Sequence, residues 1–375
     1  MKKTIKIILI IVALLIIAGV VWYETSRKPA EEGTIKIGFI GPLTGELASW
    51  GQNALAGIAL AVEEENEKGG INGRKIEIVP EDDKCTTAEG VNAINKLINI
   101  DKVIGVLGPI CSSSGGPSLP IAQNNGVPVV IISASAPQLT KIGDYIFRIY
   151  PSDAFQGQVG ADFVLNKLGK KKAAVVYVKN DWGEAIKEVF KTKFKEFGGE
   201  IVYEGSVLQD ETDFRTEITK IKGSGAEALY FPLYPANGVS AFKQMKEMGF
   251  GIPVIGGDAF DGEEVVKSEV AEGIIYTVPK VNSPEDFKEK VKSLSGFGNL
   301  QVSMVASLGY DAAKIMVLAI EKAGLDKEKI KEALTQTSYQ GVSNPLIEFD
   351  KDGDLKNAVF DIKIIKDNQS IPFER

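Results

Sequence analysis

Val103-Ile104-Gly105-Val106-Leu107-Gly108-Pro109-Ile110-Cys111-Ser112-Ser113-Ser114-Gly115-Gly116-Pro117 reads as a buried strand, a turn and the start of a helix. An uncharged apolar run of this kind suits a strand covered on both faces, as in parallel sheets. Hydroxyls and free backbone N–H groups at a strand-to-helix turn make an anion site without a charged side chain. We therefore read 111–117 as a ligand-binding turn, suited to a carboxylate. Cys111 opens it, and the only other cysteine, Cys85, lies upstream after Glu81-Asp82-Asp83-Lys84. Bonded, the two would brace the turn; unbonded, they would be two buried thiols.

Outward from this turn the same rhythm repeats. Strands are expected over 35–40, 75–79, 103–107 and 128–132, with helices over 53–68 and 86–98 and one ending at 121–124. Gly69-Gly70-Ile71-Asn72-Gly73 stops the first of these helices, as glycines past a helix end do. The pattern restarts with strands at 173–177, 200–203, 228–231 and 254–257 and helices at 181–197, 214–221 and 239–248. Helices at 303–323 and 327–334, the tight turn Asp352-Gly353-Asp354 and a last strand at 358–365 complete it. Strands alternating with helices of this length give βαβ units and parallel sheets flanked by helices. Two such runs in 375 residues give two lobes, each with its own core.

Composition narrows the chemistry. The chain is 44% hydrophobic and 25% charged, with a net charge of −7 and no basic stripe, so nucleic acid is not an expected partner. It has no histidine, which removes the commonest general base and metal ligand together. No Gly-x-Ser-x-Gly elbow, Walker loop or metal-spaced cluster is present. The triple serine is the one nucleophile candidate, with only a lysine available as base. Gly38-x-x-Gly41-x-x-x-Gly45 has the wrong spacing for a dinucleotide loop. No enzyme activity, cofactor or metal is expected.

Residues 7–23 are uninterrupted apolar or aromatic, preceded by Lys2, Lys3 and Lys6 and closed by Trp22 and Tyr23. This run is at the lower limit for a membrane span and has no Ala-x-Ala cleavage site after it. We read it as an uncleaved signal anchor with a polar tether, 1–33, in preference to a cleaved signal. The domain that follows is then extracytoplasmic. Export permits a disulfide, and closing about 26 residues between the cysteines would add roughly 3.5 kcal/mol in the chain-entropy view.

Further candidates cluster at strand ends. Ser133-Ala134-Ser135-Ala136-Pro137 is a second hydroxyl-bearing turn after a strand, and neighbouring strand ends in parallel sheets line one crevice. Trp50, Trp182 and Tyr234 read as loop aromatics at the sheet edge, suited to an apolar pocket wall. Asp258, after Val254-Ile255-Gly256-Gly257, is a lone acid at a strand end that could take an ammonium or cap the segment after it.

Together these residues resemble the type I periplasmic binding proteins, specifically the branched-chain amino acid binders of ABC transporters. The resemblance runs from residue 34 to the C-terminus. It rests on Ile37-Gly38-Phe39-Ile40-Gly41-Pro42-Leu43-Thr44-Gly45, Trp50-Gly51, Asn66-Glu67-Lys68-Gly69-Gly70-Ile71-Asn72-Gly73, Asp82-Asp83-Lys84-Cys85, Gly108 to Ser114 and Ala136-Pro137-Gln138-Leu139-Thr140. It implies an α/β fold of two Rossmann-like lobes joined by three hinge crossovers, near 150–153, 278–280 and 359–360. Lobe I would be 34–151 with 279–359, and lobe II 152–278 with 360–375.

The resemblance also implies that Ser112, Ser133, Ala134 and Ser135 hold an α-carboxylate and Asp258 the α-ammonium, where the leucine binders carry Glu. Trp50, Trp182 and Tyr234 would surround the side chain, and Cys85 and Cys111 match the family's disulfide. The implied partners are an amino acid and membrane permease subunits, with the protein itself a monomer. A ligand-sensing ectodomain for amino acids, amides or small aromatic acids is the alternative.

Overall fold

The computed structural model describes residues 33–374, so the apolar run at 7–23 and the anchor read there lie outside the described residues. The first sheet is built from β1 (Ile35–Gly41), α1 (Ala48–Glu67), β2 (Ile76–Asp82), α2 (Thr87–Lys96), β3 (Val106–Leu107), α3 (Ser112–Asn124), β4 (Val129–Ile131) and β5 (Ile146–Arg148). Its order is β2-β1-β3-β4-β5, and every pair is parallel. All of β4 and β5 is buried, as a strand covered by helices on both faces requires.

The second sheet follows α4 (Asp153–Asp162). It takes β6 (Lys172–Val178), α5 (Asp181–Glu196), β7 (Glu200–Val207), α6 (Arg215–Gly223), β8 (Ala228–Phe231), α7 (Pro235–Glu247), β9 (Val254–Gly256), α8 (Glu263–Val266) and β10 (Ile275–Pro279). The chain then makes α9 (Glu285–Ser293), α10 (Met304–Ala323), α11 (Lys327–Thr335) and the small pair β11 (Ser338–Tyr339) and β12 (Ile347–Glu348). It returns to the second sheet as β13 (Phe360–Lys366) and β14 (Gln369–Pro372). That sheet runs β14-β13-β10-β9-β8-β6-β7.

The wholly parallel expectation fails here, because β13 is antiparallel to β10 and β14 antiparallel to β13. The cause of the second reversal is the two-residue turn Asp367-Asn368, both at positive φ (50° and 54°), which can only fold a strand back on itself. The pattern also missed β5, α4, β10 and α9, which are short or interrupted by charge.

Helix starts follow local chemistry. Thr86, Ser152, Asn180, Ser303 and Asp326 cap α2, α4, α5, α10 and α11 by accepting N–H bonds of the first turn. α10 returns to the first sheet and lies along α1, where two glycines allow backbone contact. A Cβ on Gly57 would lie 1.8 Å from the Ala306 carbonyl oxygen, and one on Gly309 2.2 Å from that of Ala54. The chain thus passes between the sheets three times. The second and third passages run side by side, with the Lys280 N–H on the Val359 carbonyl (2.8 Å).

Candidate functional site

The turn between β3 and α3 needs a glycine. Gly108 has φ +101°, and a Cβ there would sit 2.1 Å from the Ile40 carbonyl oxygen. Cys111, just beyond, is bonded to Cys85, with 5.4 Å between their Cα atoms. Beneath the bridge, fully buried Asp83 accepts the Cys85 N–H (2.9 Å) and the Ser114 hydroxyl (2.6 Å). The Ser113 hydroxyl donates to the Cys85 carbonyl (2.7 Å). Burial above all pushes the Asp83 carboxyl up to about 6, the two hydrogen bonds holding it back. The first turn of α3 is therefore anchored from below, and its unpaired N–H groups are left to face an anion.

The second turn, 133–136, lies beside it. The Ser112 Oγ accepts the Ala136 N–H (3.2 Å), leaving its own proton free to donate. The N–H groups of Ala134 and Ser135 take no acceptor among the described residues. Arg148 holds this turn from behind. Its side chain is fully buried, ion-paired to Asp354 (2.6 Å), and donates to the carbonyls of Ala134 (3.2 Å) and Ala136 (2.8 Å).

Across the cleft stands Asp258. It is half-buried and not alone: one oxygen accepts the Tyr150 hydroxyl, the other the Gln156 amide (3.2 Å). Gln156 is itself fixed to the Thr277 carbonyl and hydroxyl (both 3.1 Å). Burial is the main force raising the Asp258 carboxyl, with these two donors opposing it. The Tyr150 hydroxyl is pushed well above its usual range by burial and then by the Asp258 charge. Behind them, Asp153 is fully buried and accepts the Ser135 hydroxyl (2.7 Å). Burial, then the Asp258 charge, carries its carboxyl up to about 8 against Ser135 and Arg148.

Between the two rims runs an aromatic wall. Trp182 stacks on Tyr234 (centroids 5.1 Å apart) and Trp50 meets Tyr234 edge-on (6.2 Å). Trp50 belongs to the first sheet's layer and the other two to the second, so the aromatic contact spans the cleft. Asn53 secures the remaining wall, accepting the Ser303 N–H (2.7 Å) and donating to the Gln301 carbonyl (3.2 Å). The cleft encloses about 640 Å³, and Trp50, Ser112, Ser133, Ala134, Ser135, Trp182, Tyr234 and Asp258 all line it.

Residues 34–369 match the periplasmic binding protein family. The chain belongs to that family. It is 32% identical over 375 residues to the leucine-, isoleucine-, valine-, threonine- and alanine-binding protein of Pseudomonas aeruginosa, covering 96% of both chains. Among solved structures it resembles a leucine binding protein from Thermotoga maritima, with TM-score 0.82, 28% identity and coverage of 91% of this chain and 98% of that one. It also resembles the branched-chain amino acid transporter substrate binding protein of Streptococcus pneumoniae in complex with isoleucine, with TM-score 0.79, 30% identity and coverage of 90% and 98%.

In this periplasmic binding protein three details differ from the sequence reading. The Ser133 hydroxyl donates to the Ile110 carbonyl (2.9 Å) and that of Ser135 to Asp153, so neither proton is free for an anion. Backbone N–H groups and the Ser112 hydroxyl remain as donors. Trp50 and Trp182 sit in the first turns of α1 and α5 instead of loops: α1 begins at Ala48, ahead of the expected 53, and α5 begins at Asp181, as expected, so Trp182 is already helical. Asp258 is the visible end of a buried network. Arg148, Tyr150, Asp153 and Gln156 escaped notice, although Tyr145-Ile146-Phe147-Arg148-Ile149-Tyr150 carries the signal, one charge inside an apolar run.

Proposed function

We propose that this periplasmic binding protein captures a small amino acid, with leucine, isoleucine and valine as first candidates, and delivers it to an ABC permease. The observation that carries this is the opposite character of the two rims. One offers N–H groups of Ala134, Ser135 and the α3 turn with the Ser112 hydroxyl; the other offers Asp258. A zwitterion entering a closed cleft must have both charges matched, or desolvation costs several kcal/mol. Uncharged donors meet the carboxylate, Asp258 meets the ammonium, and Trp50, Trp182 and Tyr234 cover the side chain at about 25 cal/mol per Å² buried.

Lobe I is taken as 34–151 with 279–359, and lobe II as 152–278 with 360–375. Bending at the three crossovers opens the cleft and closes it on the ligand, and the closed form is what the permease reads. The protein works as an extracytoplasmic monomer held by the segment at 7–23, which mass spectrometry of the native N-terminus tests. A thermal-shift screen against the twenty amino acids, small amides and aromatic acids, followed by calorimetry, tests the ligand. At a hundredfold excess over Kd a true ligand adds about 2.7 kcal/mol of stability. Stabilisation by aromatic acids without an amine, and by no amino acid, overturns the reading.

A further inference from the structure

We propose that Asp153 makes ligand capture proton-linked: Asp153 and Asp258 together hold one proton in the ligand-free cleft, and the ligand's ammonium group displaces it. This rests on the amino-acid reading above.

Asp153 is fully buried, and one of its oxygens, Oδ1, has no hydrogen-bond partner. Three residues on, on the same side of α4, Gln156 donates to Asp258, and the Asp258 charge acts on the buried Asp153 carboxyl. The groups facing them are Tyr150 from the first crossover, Tyr230 from β8, Tyr234 before α7, Thr277 from β10, Asp261 beyond β9, and Ser135 and Arg148 from the first lobe. Two cations stand against this set: Arg148, already neutralised by Asp354 at 2.6 Å and committed to two carbonyls, and Lys363 of β13, already paired with Asp261 at 3.0 Å. Two ionised carboxylates would therefore share a buried space with no charge left to balance the second. A proton solves this, as in carboxyl pairs generally. The same buried region holds two further unpartnered polar atoms, Gln156 Oε1 and the Tyr230 hydroxyl.

An ammonium arriving at Asp258 supplies the missing positive charge. The second carboxyl can then ionise, and its proton leaves to solvent: one cation enters and one departs. A carboxylic acid lacking the amine supplies no such charge and leaves the proton in place. The pair thus reads the presence of an amine, whatever the side chain.

The test is calorimetry of the full-length protein with leucine, in two buffers of different ionisation enthalpy at neutral pH. Wild type is expected to release about one proton per leucine bound, and its affinity to rise by up to about tenfold per pH unit approaching pH 8. In Asp153→Asn both effects vanish. 4-Methylpentanoate, leucine without its amine, should bind neither protein. Independently of any ligand, carbon-13 NMR of aspartate-labelled empty protein should show one carboxyl titrating near 8 that is absent from Asp153→Asn. Leucine binding to wild type without proton release, or only ordinary aspartate titrations in the empty protein, overturns the proposal. Should no amino acid bind while the high titration is present, the amino-acid reading fails and the shared proton stands.

Discussion

Replacing Asp258 by Asn tests the polarity of the cleft with the least change of shape. Asn keeps an oxygen for the Tyr150 hydroxyl and fills the same volume, but removes the negative charge and turns an NH2 group toward the ligand or Gln156. The size of the loss depends on where the ion pair sits. An exposed pair contributes below about 1 kcal/mol, roughly fivefold in Kd at most. Asp258 is held by Tyr150 and Gln156 and lines the same cleft as Trp50 and Tyr234. In that setting a hydrogen bond to a charged partner contributes about 1.5–3 kcal/mol. Kd for leucine should therefore rise between about tenfold and 150-fold. Calorimetry on the full-length protein above neutral pH measures it, with the thermal unfolding curve of each protein as a check on folding. A Kd for leucine unchanged within about threefold in a fully folded variant refutes the reasoning, since no amine could then be resting on this acid.

Three further outcomes follow from the same structure. Arg148→Met should cost about 3–5 kcal/mol in denaturant unfolding, because Asp354 and the carbonyls of Ala134 and Ala136 lose their buried partner. Leucine affinity should fall with it, as the 133–136 turn is no longer held. Replacing both Cys85 and Cys111 by Ala should remove about 3.5 kcal/mol, seen as a lowered calorimetric Tm, with the same Tm for the parent under reducing conditions. Asp83, with its carboxyl near 6 when folded and 3.8 otherwise, keeps a proton that the unfolded chain gives up. Its contribution to stability is present below that window and is lost as pH rises from about 4 to 6; Asp83→Asn should flatten this part of the stability–pH curve.

Much of the architecture could be read from period and punctuation. Ile35–Gly41 is apolar but for Lys36 and Ala228–Phe231 is apolar throughout, and Gly69-Gly70 ends α1, so strands and helices separate on local grounds. The final hairpin was not legible, because Asp367-Asn368 reads as ordinary surface polarity until positive φ at both positions shows a reversal. The site divided similarly. Ser112, Trp50, Trp182, Tyr234 and Asp258 stand at strand ends or helix starts, where chain order alone suggests a shared crevice, and all of them line one cleft.

What no local rule shows is which groups answer one another. Gln156 and Asp258 are 102 positions apart in the sequence, yet share a hydrogen bond; Arg148 meets Asp354 only because the chain crosses back to the first sheet. The amino-acid order alone determined the alternation of strands and helices in two successive runs and the polar residues at the strand ends, since propensity and burial act over a few residues. The tertiary structure decided which hydroxyls stay free, that Ser135 serves a buried acid instead of a ligand, and that Arg148 is spent on Asp354. Hydrogen bonds and charge balance are settled between distant segments, and only folding brings those segments within reach.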